Sequence, residues 1–114
     1  MVLVALRPRR LDGGTGTSEF EGCVSTTAQV ALSSLTPDSL TEAKKLGVVP
    51  YGDGRLTLRR KSKASGTSKA TEHYFGGQSR TIRLDMRQGV LEVPLRERSA
   101  AGGPVEWIQV EIQG

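Results

Sequence analysis

The sequence predicts a mainly β domain, an antiparallel sheet of six to seven strands with one short helix near residues 37–46. Three observations carry this. Short runs place apolar residues at every second position, the period of a half-buried strand. Gly, Pro, Asp and Ser separate those runs at hairpin-length intervals, which favours antiparallel neighbours. One stretch alone has helix start and stop signals. At 114 residues, the chain is expected to form one domain, residues 1–114, without internal repeats or a linker.

The first strand is expected at Val2, Val4 and Leu6, ending at Pro8. LDGGTGTSEFEG follows as a turn or flexible loop. In VSTTAQVALS, Val24, Ala28, Val30 and Leu32 fall on one face, which predicts a single strand over residues 24–33. The helix is read in LTPDSLTEAKKLGVV. Thr36 can cap it, and Pro37 suits the first helical position because its missing N–H costs nothing there. Leu35 and Leu40 have the spacing of a hydrophobic staple. Asp38 and Glu42 come early and Lys44 and Lys45 late, as the helix dipole favours, with Gly47 as the stop.

Pro50 to Gly54 forms a turn into the strand that contains Leu56 and Leu58. KASGTSKA, residues 63–70, is polar and is expected to be a loop tip. Ile82, Leu84 and Met86 mark a further strand, preceded by a break at Gly76-Gly77. Leu91, Val93 and Leu95 mark another, which Pro94 confines to a sheet edge or a bulge because proline cannot donate to a ladder. After the turn SAAGGP, the last strand has Ile108, Val110 and Ile112 on one face.

Charge is unevenly distributed. From Arg55 to Arg87 there are nine basic residues against Glu72 and Asp85, +7 in a chain of net charge +4, so the remainder sums to −3. On the strands at each end of this stretch, basic residues alternate with apolar ones. If those strands share a sheet, their basic faces merge into one cationic surface. The candidate nucleic-acid-binding residues are Arg55, Arg59, Lys61, Lys63, Arg80, Arg83 and Arg87. Arginine on strands suits bidentate phosphate contact, and neutralising phosphates releases condensed counterions. The plain alternative is that these cations solvate an exposed face and discourage edge aggregation. Nucleic acid ranks ahead of a membrane as partner because no amphipathic basic helix is visible.

Catalytic arrangements are nearly absent, so the chain is not expected to be an enzyme, and neither a metal nor a cofactor is implied. His73 is the single histidine and reads as a strand residue; Cys23 is the single cysteine and reads as a small buried hydrophobe. One cysteine excludes an intramolecular disulfide and suits a reducing compartment. No G-x-S-x-G or phosphate-loop motif occurs, and Gly13-Gly14-Thr15-Gly16 lacks a phosphate-binding lysine. The opening MVLVALRPRR has its apolar residues before its charges, the reverse of a signal peptide. A soluble, intracellularly made protein is expected. Tyr74 and Phe75 offer poor aromatic interleaving, so general backbone binding is expected over sequence-specific reading.

The layout resembles the coat proteins of single-stranded RNA bacteriophages. The residues that carry the likeness are the opening VLV followed by DGGTG, the basic RLTLRRKSKAS run, the alternating TIRLDMR and the closing EWIQVEIQ. The resemblance implies a wide antiparallel sheet, a homodimer assembling into a shell, and RNA against one sheet face. It also implies residence in the virion after synthesis in the host cytoplasm. Members of that family end in helices that interlock across the dimer, whereas a strand closes this sequence. Two alternatives stand beside it: a small β-barrel nucleic-acid-binding module, and a phage tail or head-completion structural protein.

Overall fold

The computed structural model describes residues 3–6, 18–20, 24–35, 43–60, 66–99 and 103–112. It is mainly β, and every strand pairing is antiparallel. The strands are β1 (Leu3–Leu6), β2 (Ser18–Phe20), β3 (Val24–Thr26), β4 (Val30–Ser34), β5 (Lys45–Pro50) and β6 (Gly54–Arg59). They continue as β7 (Gly66–Tyr74), β8 (Ser79–Met86), β9 (Val90–Leu95), β10 (Arg98–Ser99) and β11 (Gly103–Glu111). The larger sheet runs β1-β4-β5-β11-β7-β8, with β10 also paired to β11; the smaller runs β2-β3-β6-β9. The expected six to seven strands are thus exceeded, and they divide between two sheets.

Alternation fills the space between the sheets. Leu32, Leu46, Val48, Ile108 and Val110 of the larger sheet share one buried cluster with Val24, Leu56, Leu58, Leu91 and Val93 of the smaller. The result is a two-layer sandwich whose apolar faces are satisfied within one chain. Pro94 is exposed on β9, which pairs along its length only with β6 among the described residues, the edge position that its missing N–H requires.

The expected single strand over residues 24–33 is two strands in different sheets. Thr26 Oγ1 donates to the Ala28 carbonyl at 2.7 Å and accepts from the Ala28 N–H at 3.2 Å. This local side-chain bonding bends the chain while Val24, Ala28, Val30 and Leu32 all remain buried. Gly54 allows the bend to pack closely, since a Cβ there would stand 2.6 Å from Thr27 Oγ1 and 2.8 Å from Ala28 Cβ.

The helix near residues 37–46 is corrected: the described residues contain no helix, and Lys45–Pro50 is β5. Residues 36–42, with the Thr36 cap and the Leu40 half of the staple, lie outside the described residues. Leu46 and Val48 instead obey a two-residue period and are buried between β4 and β11, whose ladders take both edges of β5. The loop expected over residues 63–70 is also corrected in its second half, because Gly66 begins β7. Ser68 and Ala70 are small enough to be buried there while Lys69 points outward.

Candidate nucleic-acid interface

The strand carrying Arg55 and Arg59 lies in the smaller sheet, and the strand carrying Arg80 and Arg83 is the last of the larger. The merged basic face expected from the sequence therefore does not form. Antiparallel registers produce a different concentration of charge. Glu111 at the end of β11 pairs with Lys45 at the start of β5 and with Lys69 near the start of β7. Lys69 is opposite Arg83 near the end of β8.

Arg87 follows, bridging to Val90 through a two-residue hairpin in which Gln88 (φ 50°) and Gly89 (φ 77°) both take left-handed conformations. Its closing backbone bonds are 3.0 and 2.9 Å, as in a turn whose twist matches its strands. Val90 is in turn opposite Arg59 at the end of β6. Arg60 ties the layers together: its guanidinium donates to the Ala43 carbonyl at 2.7 Å, and its backbone N–H to the Gly89 carbonyl at 2.8 Å.

One end of the sandwich therefore gathers Lys44, Lys45, Arg59, Arg60, Lys69, Arg83 and Arg87. All are exposed except the half-buried Arg60. The described acids there are Glu111 and Asp85, with Glu92 one same-face step farther along β9. Lys69 Nζ lies 3.7 Å from Glu111, a partly exposed ion pair of the weak kind. Arg83 is steadied by donating to Thr67 Oγ1 at 3.2 Å. Thr67, Lys69, Thr81 and Arg83 line a groove of about 310 Å³, and Asp85, Arg87, Val90 and Glu92 line another of about 440 Å³.

Of the sequence-derived candidates, Arg59, Arg83 and Arg87 belong to this end. Lys61 and Lys63 lie outside the described residues. Arg55 lies toward the opposite end, beside Pro94 in register, and reaches Glu92 at 3.7 Å. Arg80 is also remote. Its even position puts it on the inward side of β8, opposite Glu72 rather than beside Arg83.

The sequence places Lys44 and Lys45 at a helix terminus and Lys69 in a loop, whereas Lys45 begins β5, with Lys44 just before it, and Lys69 lies in β7. The Lys45-Leu46-Gly47-Val48 alternation was the available signal for β5, and Ser68-Lys69-Ala70 for β7.

At the opposite end, Glu72 is buried and receives two hydrogen bonds from Arg96, each 2.9 Å, and one from Tyr74 Oη at 3.0 Å. The Arg96 guanidinium holds the Glu72 carboxyl below the ordinary carboxylate range, against the upward push of burial and with help from Tyr74. Glu72 reciprocally raises Arg96. On the outer face of the larger sheet, His73 stacks on Trp107 with ring centroids 4.4 Å apart and planes 13° from parallel. No group of three His, Cys, Asp or Glu among the described residues is placed to hold a metal ion.

No family model, curated protein or solved structure matches this chain.

Proposed function

We propose that this chain is a non-catalytic structural protein that contacts RNA through the cationic end of its sandwich and assembles with further copies into a shell, as in the phage coat proteins that its sequence resembles. The observation that supports RNA contact is the convergence of seven cations from four strands and their flanking residues, with few carboxylates among them. Such a cluster costs self-repulsion in the free protein. A polyanion relieves that repulsion and gains the entropy of released counterions. Within the site, Arg59, Arg83 and Arg87 are joined by Lys44, Lys45 and Lys69, while Arg55 and Arg80 are left out.

A second reading is a nucleic-acid-binding module that acts as a monomer. It is favoured by the closed core: both sheets bury their apolar faces against each other inside one chain. Particle size and the 260/280 nm absorbance ratio of the purified protein decide between them. Large particles carrying nucleic acid are expected for the coat reading. A small species that binds RNA supports the module. Particles free of nucleic acid whose subunits bind no RNA would contradict both and favour a tail or head-completion component.

A further inference from the structure

The outer face of the larger sheet is organised in rows that cross its strands. The first row to cross four strands, one step inside the Thr67–Asp85 pair at the cationic end, contains Arg83, Lys69, Glu111 and Lys45. Two residues farther along each strand stand Thr81, Thr71 and Gln109, with Gly47 beyond them. Two farther again stand Ser79, His73 and Trp107. Same-face neighbours along a strand are about 7 Å apart, so this face passes in short steps from cations to small hydrogen-bonding groups to an aromatic pair.

Each row has a feature that suits one part of a nucleotide. Lys69 and Arg83 are directly opposite each other, an arrangement of like charges that destabilises a bare sheet; the half-buried Glu111 beside Lys69 and the exposed Asp85 one same-face step from Arg83 offset it in part. A phosphate between them removes that repulsion. In the second row, the hydroxyls of Thr71 and Thr81 lie 3.1 Å apart, and the Gln109 amide donates to Glu111 at 3.0 Å while its carbonyl oxygen remains an acceptor. None of the described residues in the second and third rows is acidic. In the third row, the half-buried His73 and Trp107 rings are already parallel, and the small Ser79 stands next to His73. The β-bulge between Val105 and Trp107 places Trp107 outward while Val105 stays in the core.

We infer that this face is a platform for single-stranded RNA, with a phosphate held by Lys69 and Arg83, a base extending over the Thr71, Thr81 and Gln109 row, and a base stacked on the His73–Trp107 pair. The inference rests on the RNA-contact reading above and adds base stacking to it. Stacking requires unpaired bases and tolerates any sequence, because every base has a π-face. It selects single strands over duplexes without selecting a motif.

Trp107 is the single tryptophan of the chain, so its emission reports on this row alone. The full-length protein is titrated at low salt with a fluorescently labelled oligouridylate, following label anisotropy and tryptophan emission in parallel. Quenching of Trp107 that saturates with the anisotropy change is expected. Trp107→Leu is expected to weaken binding about tenfold. Lys69→Gln with Arg83→Gln should lower the salt slope by about 0.7, one single-strand phosphate. Full binding by anisotropy with unchanged tryptophan emission would overturn the platform and leave RNA contact at the cationic end standing. No anisotropy change at low salt would overturn the RNA-contact reading itself. The parental titration needs no variant, so a folding defect in Trp107→Leu does not obscure the result.

Discussion

Arg96 grips Glu72 in parallel fashion, Nε to one carboxylate oxygen and Nη2 to the other, both at 2.9 Å. Glu72 is 2% exposed, whereas the Arg96 side chain is 36% exposed, so a partly solvated cation compensates a carboxylate that has lost nearly all its water. The pair fastens the segment after β9 to the inward side of β7.

Removing the cation should therefore cost more than an exposed ion pair does. Arg96→Ala is expected to destabilise by about 2–3 kcal/mol at neutral pH, below the range for fully buried pairs because Arg96 is partly solvated. Urea unfolding measures it.

The pH dependence has a definite sign. The folded Glu72 carboxyl titrates below its ordinary value of 4.5. Its contribution to stability is present above that value and is lost as pH falls through the lower, folded pKa. The gap between parent and Arg96→Ala should thus narrow on acidification below pH 4.5, since a protonated Glu72 no longer needs the guanidinium. A gap that stays constant down to full protonation would show that Arg96 acts by packing alone.

Leu56 and Leu84 look alike in sequence, each flanked by polar or charged residues on an alternating strand. Their burial differs. Leu56 is 0% exposed between the sheets, while Leu84 is half-buried on the terminal strand β8 and packs at the margin of the core. Leu56→Ala should cost about 2–5 kcal/mol, and Leu84→Ala about 1–2 kcal/mol. Equal urea midpoints for the two variants would place β8 deeper in the molecule than the sandwich allows.

Gly54, at the start of β6, packs against the bend that carries the chain from β3 to β4. Gly54→Ala should destabilise by about 1–3 kcal/mol through overpacking, because its new methyl meets Thr27 Oγ1 and the Ala28 methyl inside normal contact distance. Thr27→Ala in the same chain relieves one of those contacts but also removes the acceptor of the Arg55 N–H, 2.9 Å away, so the recovery should be small and incomplete.

The strand class was legible because alternation is local. Leu56 and Leu58, Leu91 to Leu95, and Ile108 to Ile112 all bury the side that their spacing assigns, and Pro94 marks an edge. Sheet membership was not legible. The run from Val24 to Leu32 keeps one apolar phase through a bend made by a single threonine hydroxyl, and nothing in its period shows that its halves join different sheets. Arg80 and Arg83 were grouped by proximity in sequence although an odd separation sends them to opposite faces. Lys44 and Lys45 were hidden by strong local helix signals, which β5 overrides with ladders on both edges. The cationic end is thus a product of strand register, which only long-range pairing determines.

The most direct test compares the salt dependence of oligouridylate binding in two multiple variants of the full-length protein. One replaces Lys44, Lys45, Arg59 and Arg87 with Gln at the cationic end; the other replaces Arg55, Arg80 and Arg98 with Gln elsewhere. At about 0.7 per single-strand phosphate, the first is expected to flatten the slope of log affinity against log salt by about 2 or more, and the second to leave it near that of the parent. A parental slope in the first variant, or an equal loss in the second, would contradict binding through this end.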